Sequence, residues 1–419
     1  MAKQINTEFD VIVIGGGPSG MIAAGRAGGR GLSVLLLEKN KSLGRKLVIT
    51  GGGRCNITNA EFDIHKLLSN YGSSKQLLYS SFSEFGVIET HSFFQSLGLP
   101  LVTQARNRVF PNTEKAEDVL SALVLYMKNN NVLVKTGVSV NKLERNANGM
   151  FTVTSQKTTY VARAVVVATG GLSHSETGST GDGFKWLSYL GHKIYPPTPS
   201  IVPVVVEDEW IKSLSGHSFE FAKITFYLDG VKVFSKSGPI LCTHYGLSGP
   251  TILNSSKRVG DMLHEALVTA SINCFPDWSV GELEKYMIQI FDNNKNKSLK
   301  NVFAEIAPKG MSKVLLSLLP ALDPEQKTHS VTKEIRKEIS KLLNALPVRI
   351  TGLKGFDNAV IADGGVSLDE VDMRTMQSKL VPNLYLTGDI LHIERPSGGF
   401  SLQLCWTTGF VAGSKVDPK

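Results

Sequence analysis

The chain has 419 residues, more than one compact core accommodates, so two or three domains are expected. Its composition, 42% hydrophobic and 20% charged, is that of a globular protein, and no apolar run approaches the ~18 residues of a membrane-spanning helix. The net charge of +8 raises the question of nucleic acid, but the basic residues are dispersed among acids, as in Lys333–Lys341 (KEIRKEISK), so anionic small molecules account for it equally well and neither nucleic acid nor membrane is the expected partner.

The polar N-terminus, MAKQINTEFD, runs straight into the first expected strand, so no signal peptide is expected. Cys55, Cys242, Cys274 and Cys405 are widely separated, with no C-x-x-C or metal-ligand spacing. Neither disulfides, nor zinc, nor the dithiol of a disulfide reductase is expected, and a reducing cytoplasm is the simplest location.

Taken in order, Asp10–Ile14 is short, apolar and β-branched, as a buried parallel strand should be. Gly15, Gly17 and Gly20 follow at G-x-G-x-x-G spacing, with Pro18 and Ser19 between them. The first glycine permits a tight turn, the second a close approach of backbone to pyrophosphate, and the third helix packing on the sheet. Ser33–Leu37 is the next strand, and Glu38 ends it, about 20 residues on, where an acid hydrogen-bonds ribose. This unit predicts dinucleotide binding.

A basic loop, Lys39–Lys46, leads to Leu47–Asn59, LVITGGGRCNITN. Three successive glycines are poor helix or strand interior and suggest backbone lying against a ligand, with Arg54 a charge partner for phosphate or a ring. Ala116–Lys128 is an amphipathic helix with acids in its first turn and Lys128 in its last. Val132–Lys135 is a short strand, Val138–Glu144 and Met150–Ser155 form a hairpin around Asn146–Gly149, and Thr159–Ala162 adds a third strand. Ala164–Gly171 (AVVVATGG) is a separate buried strand, Gly178–Gly183 a flexible loop and Phe184–Leu190 a short helix.

Pro196, Pro197, Pro199 and Pro203 punctuate a linker. Short strands come next at Ile201–Val206, Ala222–Leu228 and Lys232–Phe234, the latter two joined by Asp229-Gly230, which reads as an antiparallel β domain. It contains Thr243–Pro250 (THYGLSGP), whose His244 and Tyr245 are substrate-pocket candidates together with Arg54. Residues 279–345 are helical, and Pro347–Thr351 returns to the β domain. Asn358–Val366 is a strand and glycine turn. Asn383–Asp389 is a buried strand ending in Gly388-Asp389, whose carboxylate suits a ribityl or ribose hydroxyl. Pro396–Gly409 supplies a glycine pair and a helix N-terminus that can face a flavin ring.

The ordered set GGGPSG, GGGRCNITN, VVVATGG, HYGLSGP, VPNLYLTGD and PSGGFSLQ resembles the bacterial BaiN/YhiN-type FAD-dependent oxidoreductases over nearly the whole chain. The resemblance implies an α/β fold: a Rossmann-like FAD-binding domain (1–194 and 354–419), an inserted antiparallel β domain (195–265 and 346–353) and an inserted helical domain (266–345). It places FAD contacts at Gly15, Gly17, Pro18, Ser19, Gly20, Glu38, Lys39, Arg54, Cys55, Asn56, Ala168, Thr169, Gly170, Gly388, Asp389, Gly399, Phe400 and Gln403. Cys55 has no partner cysteine nearby in sequence and reads as packing rather than redox chemistry.

The expected function is hydride transfer between FAD and a small organic substrate, with NAD(P)H as donor binding transiently at the flavin face, since no second G-x-G-x-x-G is present. The alternatives are a flavin amine oxidase or dehydrogenase using oxygen, an RNA-modifying flavoprotein, and a flavoprotein without turnover.

Overall fold

The computed structural model describes residues 8–417 except 157 and 309. Of the N-terminal stretch considered for a leader, residues 1–7 lie outside the described residues. The chain falls into two compact units, one running to Pro199 and resuming at Val360, the other spanning Ser200–Ala359.

The first unit is built on a nine-stranded sheet. Strand β1 (Glu8–Ile14) lies at its centre, parallel to β2 (Val34–Glu38) on one side and to Thr159–Val167 on the other. Val11–Ile14 and Leu35–Leu37 are almost wholly excluded from solvent, as central strands of a parallel sheet covered on both faces are. Leu133–Thr136 extends the sheet beyond β2, and Leu384–Leu386 extends it beyond Thr159–Val167, both parallel.

The register fixes where ligand chemistry can occur. Ile14 stands opposite both Leu37 and Val167, and Val167 opposite Leu386. Four strands therefore end level, and Gly15, Glu38, Ala168 and Thr387 follow them at one edge. The carboxyl edge of a parallel sheet is the usual ligand-binding edge of such folds.

Two expectations are corrected. Thr159–Ala162 and the following apolar run are one continuous strand, Thr159–Val167. From Val161 on it runs parallel to β1, while on its other edge the first half pairs with the hairpin strand Phe151–Ser155 and the second with Leu384–Leu386, so a change of partner on one edge, not a turn, separates the two patterns. The proline-punctuated linker is in large part a strand, Ile194–Ser200, paired with Ile361–Val366 in a two-stranded ribbon. Proline's fixed φ suits extended chain, and a narrow ribbon leaves one side where a missing N–H costs nothing.

Helix α1 (Pro18–Gly28) packs on the C-terminal helix Phe400–Lys415 through small residues. A Cβ at Gly409 would stand 2.4 Å from the Ser19 carbonyl oxygen, and one at Gly413 would stand 2.5 Å from that of Ala23. Backbone-to-backbone contact of this kind admits only glycine.

Behind the sheet, His192 joins two distant segments. Its Nδ1 lies 3.0 Å from Glu370 Oε2 and its Nε2 lies 2.9 Å from Ser378 Oγ. The order Ser–His–Glu is that of a hydrolase, but the Ser378 hydroxyl also accepts the N–H groups of Leu380 and Val381, and the imidazole is buried. This is a strut. His192→Ala is expected to remove about 2–3 kcal/mol of stability by stranding buried polar groups, seen as an earlier urea midpoint.

The second unit contains a closed antiparallel barrel of strands Val204–Val206, Gly246–Ser248, Val231–Thr243, Ser218–Leu228, Val268–Asn273 and Leu346–Leu353. The Asp229-Gly230 turn has φ of 47° and 79°, the doubly positive pair of a tight hairpin. Helices Val280–Asn293, Leu299–Ile306, Met311–Leu318 and Lys333–Asn344 share one hydrophobic core with the barrel.

Candidate active site

A cavity of about 490 Å³ opens along the carboxyl edge of the parallel sheet. One wall is the β1–α1 turn. Gly15 has a φ of +112°, and a Cβ there would stand 2.4 Å from the Ala168 carbonyl oxygen. Gly20 presses closer still, its missing Cβ 1.9 Å from the Gly15 carbonyl. Gly17 differs: a Cβ there meets nothing within 4 Å. It is the N-cap of α1 and offers no side-chain cap, so the first N–H groups of the helix are left to a ligand. The first and third glycines thus serve packing, and the middle one keeps space open on the cavity side.

Glu38 forms the next part of the wall. Its Oε2 accepts the Gly16 N–H at 2.7 Å, and its Oε1 accepts the Asn40 N–H and side-chain amide, each at 2.7 Å. A carboxylate oxygen accepts more than one hydrogen bond, so capacity remains for a hydroxyl. Lys39 is tied to Asp182 at 2.9 Å and also donates to Thr180. Burial pushes the Asp182 carboxyl up, but the bonds from Lys39 and Thr180 more than reverse that and leave it below its ordinary value. Val138, Val140 and Trp186 close this end with apolar surface.

At the other end stand Lys46, Thr50, Gly51, Gly52, Asp389, Ser401 and Leu402. Gly51, Gly52 and Gly53 have φ between 59° and 84°, so the glycine run is a left-handed turn. A Cβ at Gly52 would again meet nothing within 4 Å. Asp389 is paired with Arg395, a nearly inaccessible guanidinium that also donates to the Ile393 carbonyl at 2.6 Å and to Ser401 Oγ at 3.0 Å.

Of the residues singled out in the sequence, the cavity wall brings together Gly15, Gly17, Pro18, Ser19, Glu38, Lys39, Ala168, Thr169, Gly170 and Asp389. Gly20 and Gly388 stand one layer behind; a Cβ at Gly388 would lie 2.7 Å from Ser19 Oγ. Arg54 does not line it. Its guanidinium stacks over the Phe110 ring at 4.5 Å and pairs with Glu114 at 3.4 Å. The Cys55 thiol is fully buried, and burial pushes its pKa up to about 12, against a smaller downward effect of Thr50. Asn56 is likewise off the wall. His244 and Tyr245 belong to the other unit, at the turn between two barrel strands, their rings edge to face at 4.7 Å.

Gly399, Phe400 and Gln403 lie in a joint between two motifs. A Cβ at Gly399 would stand 2.4 Å from the Thr58 carbonyl carbon. Gln403 accepts from Thr58 Oγ1 at 2.6 Å, Asn59 donates to the Gly398 carbonyl at 3.1 Å, and Trp406 donates to the Ile57 carbonyl at 2.9 Å. The Phe400 carbonyl accepts the Tyr71 hydroxyl at 2.9 Å. GGGRCNITN and PSGGFSLQ are therefore bound to one another.

The sequence reading missed Gly16, Asn40, Lys46, Val138–Val140, Asp182, Trp186 and Ser401. Lys46 and Ser401 sit inside or beside recognisable motifs; the Val138–Val140 and Trp186 patch has no local signal.

The match to a family model decides the assignment: the HI0933-like protein Rossmann domain covers residues 9–415. The chain belongs to the HI0933-like family. This is the BaiN/YhiN family of FAD-dependent oxidoreductases, and the chain is an enzyme of that class. Among its HI0933-like relatives, the 3-dehydro-bile acid delta(4,6)-reductase of Clostridium scindens is 30% identical over 414 residues, spanning 96% of this chain and 97% of that protein. A ribosomal RNA dihydrouridine synthase of Escherichia coli is 28% identical over 410 residues, spanning 97% and 98%. The 3-ketosteroid-delta4-(5alpha)-dehydrogenase of Rhodococcus jostii shares the fold with a TM-score of 0.55 at 14% identity, over 99% of this chain and 98% of that one. The 3-ketosteroid delta1-dehydrogenase of Sterolibacterium denitrificans has a TM-score of 0.54 at 13% identity, over 97% and 99%.

The HI0933-like cavity suits FAD on its own chemistry. It has an uncapped helix N-terminus for pyrophosphate, a buried acid for ribose, two glycines whose absent side chains keep space open, and an apolar end for an aromatic base.

Proposed function

We propose that the protein reduces a carbon–carbon double bond conjugated to a carbonyl in a small organic substrate, with FAD in the cavity described and NAD(P)H as electron donor. The observation that carries the reading is the end-to-end similarity to the bile acid reductase, joined to a cavity whose glycine turn and acid fit FAD.

Bound there, FAD supplies hydride chemistry. The chain holds it: the α1 N-terminus takes the pyrophosphate, Glu38 accepts the ribose hydroxyls, Val138–Val140 and Trp186 exclude water around the adenine, and Asp389, fixed by Arg395, accepts from the ribityl chain. Ala168, Thr169 and Gly170 supply backbone beside the cofactor. Arg54, Cys55, Asn56, Gly388, Gly399, Phe400 and Gln403 act in our reading through the shape of that wall, not by touching FAD. The barrel and the helices beside it are read as the β-rich substrate domain and the helical domain, with His244 and Tyr245 kept as substrate-side candidates.

The test is anaerobic mixing of the flavin-loaded protein with NADPH and NADH, then with a 3-keto-4-ene steroid. Bleaching by either nicotinamide and reoxidation by the enone at rates above those of free flavin is the expected result. Flavin that bleaches with an amine and reoxidises only with oxygen would make the protein an amine oxidase instead. Dihydrouridine detected by mass spectrometry after incubation with ribosomal RNA, without enone turnover, would overturn the small-molecule substrate class.

A further inference from the structure

Lys46 stands on the short helix Arg45–Ile49 and lines the cavity end that also carries Thr50, Gly51 and Ser401. Its ammonium donates to Ser173 Oγ at 3.2 Å, and Ser173 is buried. Among the described residues it makes no ion pair. The nearby acid Asp389 is already committed to Arg395. A cation on a cavity wall whose fixed partner is one hydroxyl is short of a counter-charge.

We infer that Lys46 is the cation against which the cofactor sets its negative charge on reduction, and that it thereby raises the reduction potential of the bound FAD. The inference rests on the placement of FAD proposed above. A hydride donated by NAD(P)H brings two electrons and one proton, so the ring system gains one unit of negative charge while the nicotinamide becomes a cation and leaves. The Lys46 ammonium offsets that charge without giving up its proton. It is a positioning charge: the electrons move between donor, ring and substrate.

The surroundings support the assignment. Burial holds the Lys46 pKa below the usual lysine range; Asp389, Cys405 and Glu176 act upward and Arg395 downward, and burial prevails. A reduced, anionic ring beside Lys46 would reverse that balance, which is the reciprocal of the lysine favouring the reduced ring.

The test is the midpoint potential of the flavin-loaded protein, measured by dithionite titration against reference dyes, for wild type, Lys46→Met and Lys46→Arg. Lys46→Met is expected to lose at least tenfold of the preference for reduced over oxidised FAD, a fall of about 30 mV for a two-electron couple. Lys46→Arg keeps the charge and stays within about threefold of wild type. As pH rises through the lysine's own pKa, the wild-type potential falls toward that of Lys46→Met.

An unchanged midpoint in Lys46→Met with FAD bound overturns the inference. Should that variant not retain FAD, Lys46→Gln is read in the same way; loss of FAD from both also overturns it, because the lysine would then anchor the oxidised cofactor. Wild-type protein that takes up no FAD would instead refute the cofactor site.

Discussion

Gly20→Ala is expected to unfold the first unit early and to yield protein without flavin. The added Cβ would stand 1.9 Å from the Gly15 carbonyl oxygen and 3.2 Å from Ala168 Cβ, all rigid parts of the β1–α1 turn and the neighbouring strand. Helix α1 cannot back away. On its other side the C-terminal helix touches it through Gly409, whose missing Cβ lies 2.4 Å from the Ser19 carbonyl. Overpacking of this kind costs at least about 3 kcal/mol when neither neighbour can yield. For a unit of this size that lowers the melting temperature by roughly 6–12 °C. The informative partner is Gly17→Ala. Its Cβ meets nothing within 4 Å, so it should melt like wild type and yet hold FAD more weakly, since the methyl enters the space kept open for pyrophosphate. Melting curves and the 450 nm absorbance of purified protein read both outcomes. A Gly20→Ala protein with a wild-type melt would sink the packing argument; a Gly17→Ala protein with wild-type FAD affinity would sink the ligand argument.

This contrast marks what was legible in the sequence. Glycine spacing between an apolar run and an amphipathic one announces a strand–turn–helix, and the acid after the next strand lies where the pleat must bring it. Glu38 and Asp389 were readable because each stands at or just past the end of a buried strand, and strands that end level bring their C-terminal neighbours to one edge. The other side of the cavity was not readable in this way. Val138, Val140 and Trp186 are ordinary apolar residues made into a wall by tertiary packing alone. Lys46 was one basic residue in a basic loop until the fold placed it on the cavity wall with the Ser173 hydroxyl, and no ion pair among the described residues, as its fixed partner. Arg54 misled because arginine after a glycine run is also what a phosphate site looks like, and only the Phe110 ring and Glu114, far off in sequence, show where the guanidinium goes. Strand boundaries failed where a change of neighbour, as within Thr159–Val167, imitated a turn.

Gln403 gives the second large effect. Its side chain is fully buried in a network that binds three segments. The Thr58 hydroxyl donates to its Oε1 at 2.6 Å. Its Nε2 faces Thr90 Oγ1 at 2.9 Å, Thr407 Oγ1 at 3.0 Å and the Gly86 carbonyl at 3.2 Å. Gln403→Met conserves the volume and removes both polar groups. The Thr58 hydroxyl, itself without solvent access, then has no comparable acceptor, while the Thr90 and Thr407 hydroxyls keep the bonds they donate to Gly86 and Phe85. One stranded donor and the lost amide bonds together cost about 2–4 kcal/mol. If Gln403 is a strut, FAD affinity per folded molecule should stay within about threefold of wild type when measured well below the melt, because the residue does not line the cavity. A drop of tenfold or more in affinity with a wild-type melt would instead make it a cofactor contact. GGGRCNITN and PSGGFSLQ would then be conjoined for chemistry; on the present geometry they are conjoined so that the helix beginning at Phe400 and the turn beginning at Thr50 hold one fixed distance across the cavity end where Lys46 stands.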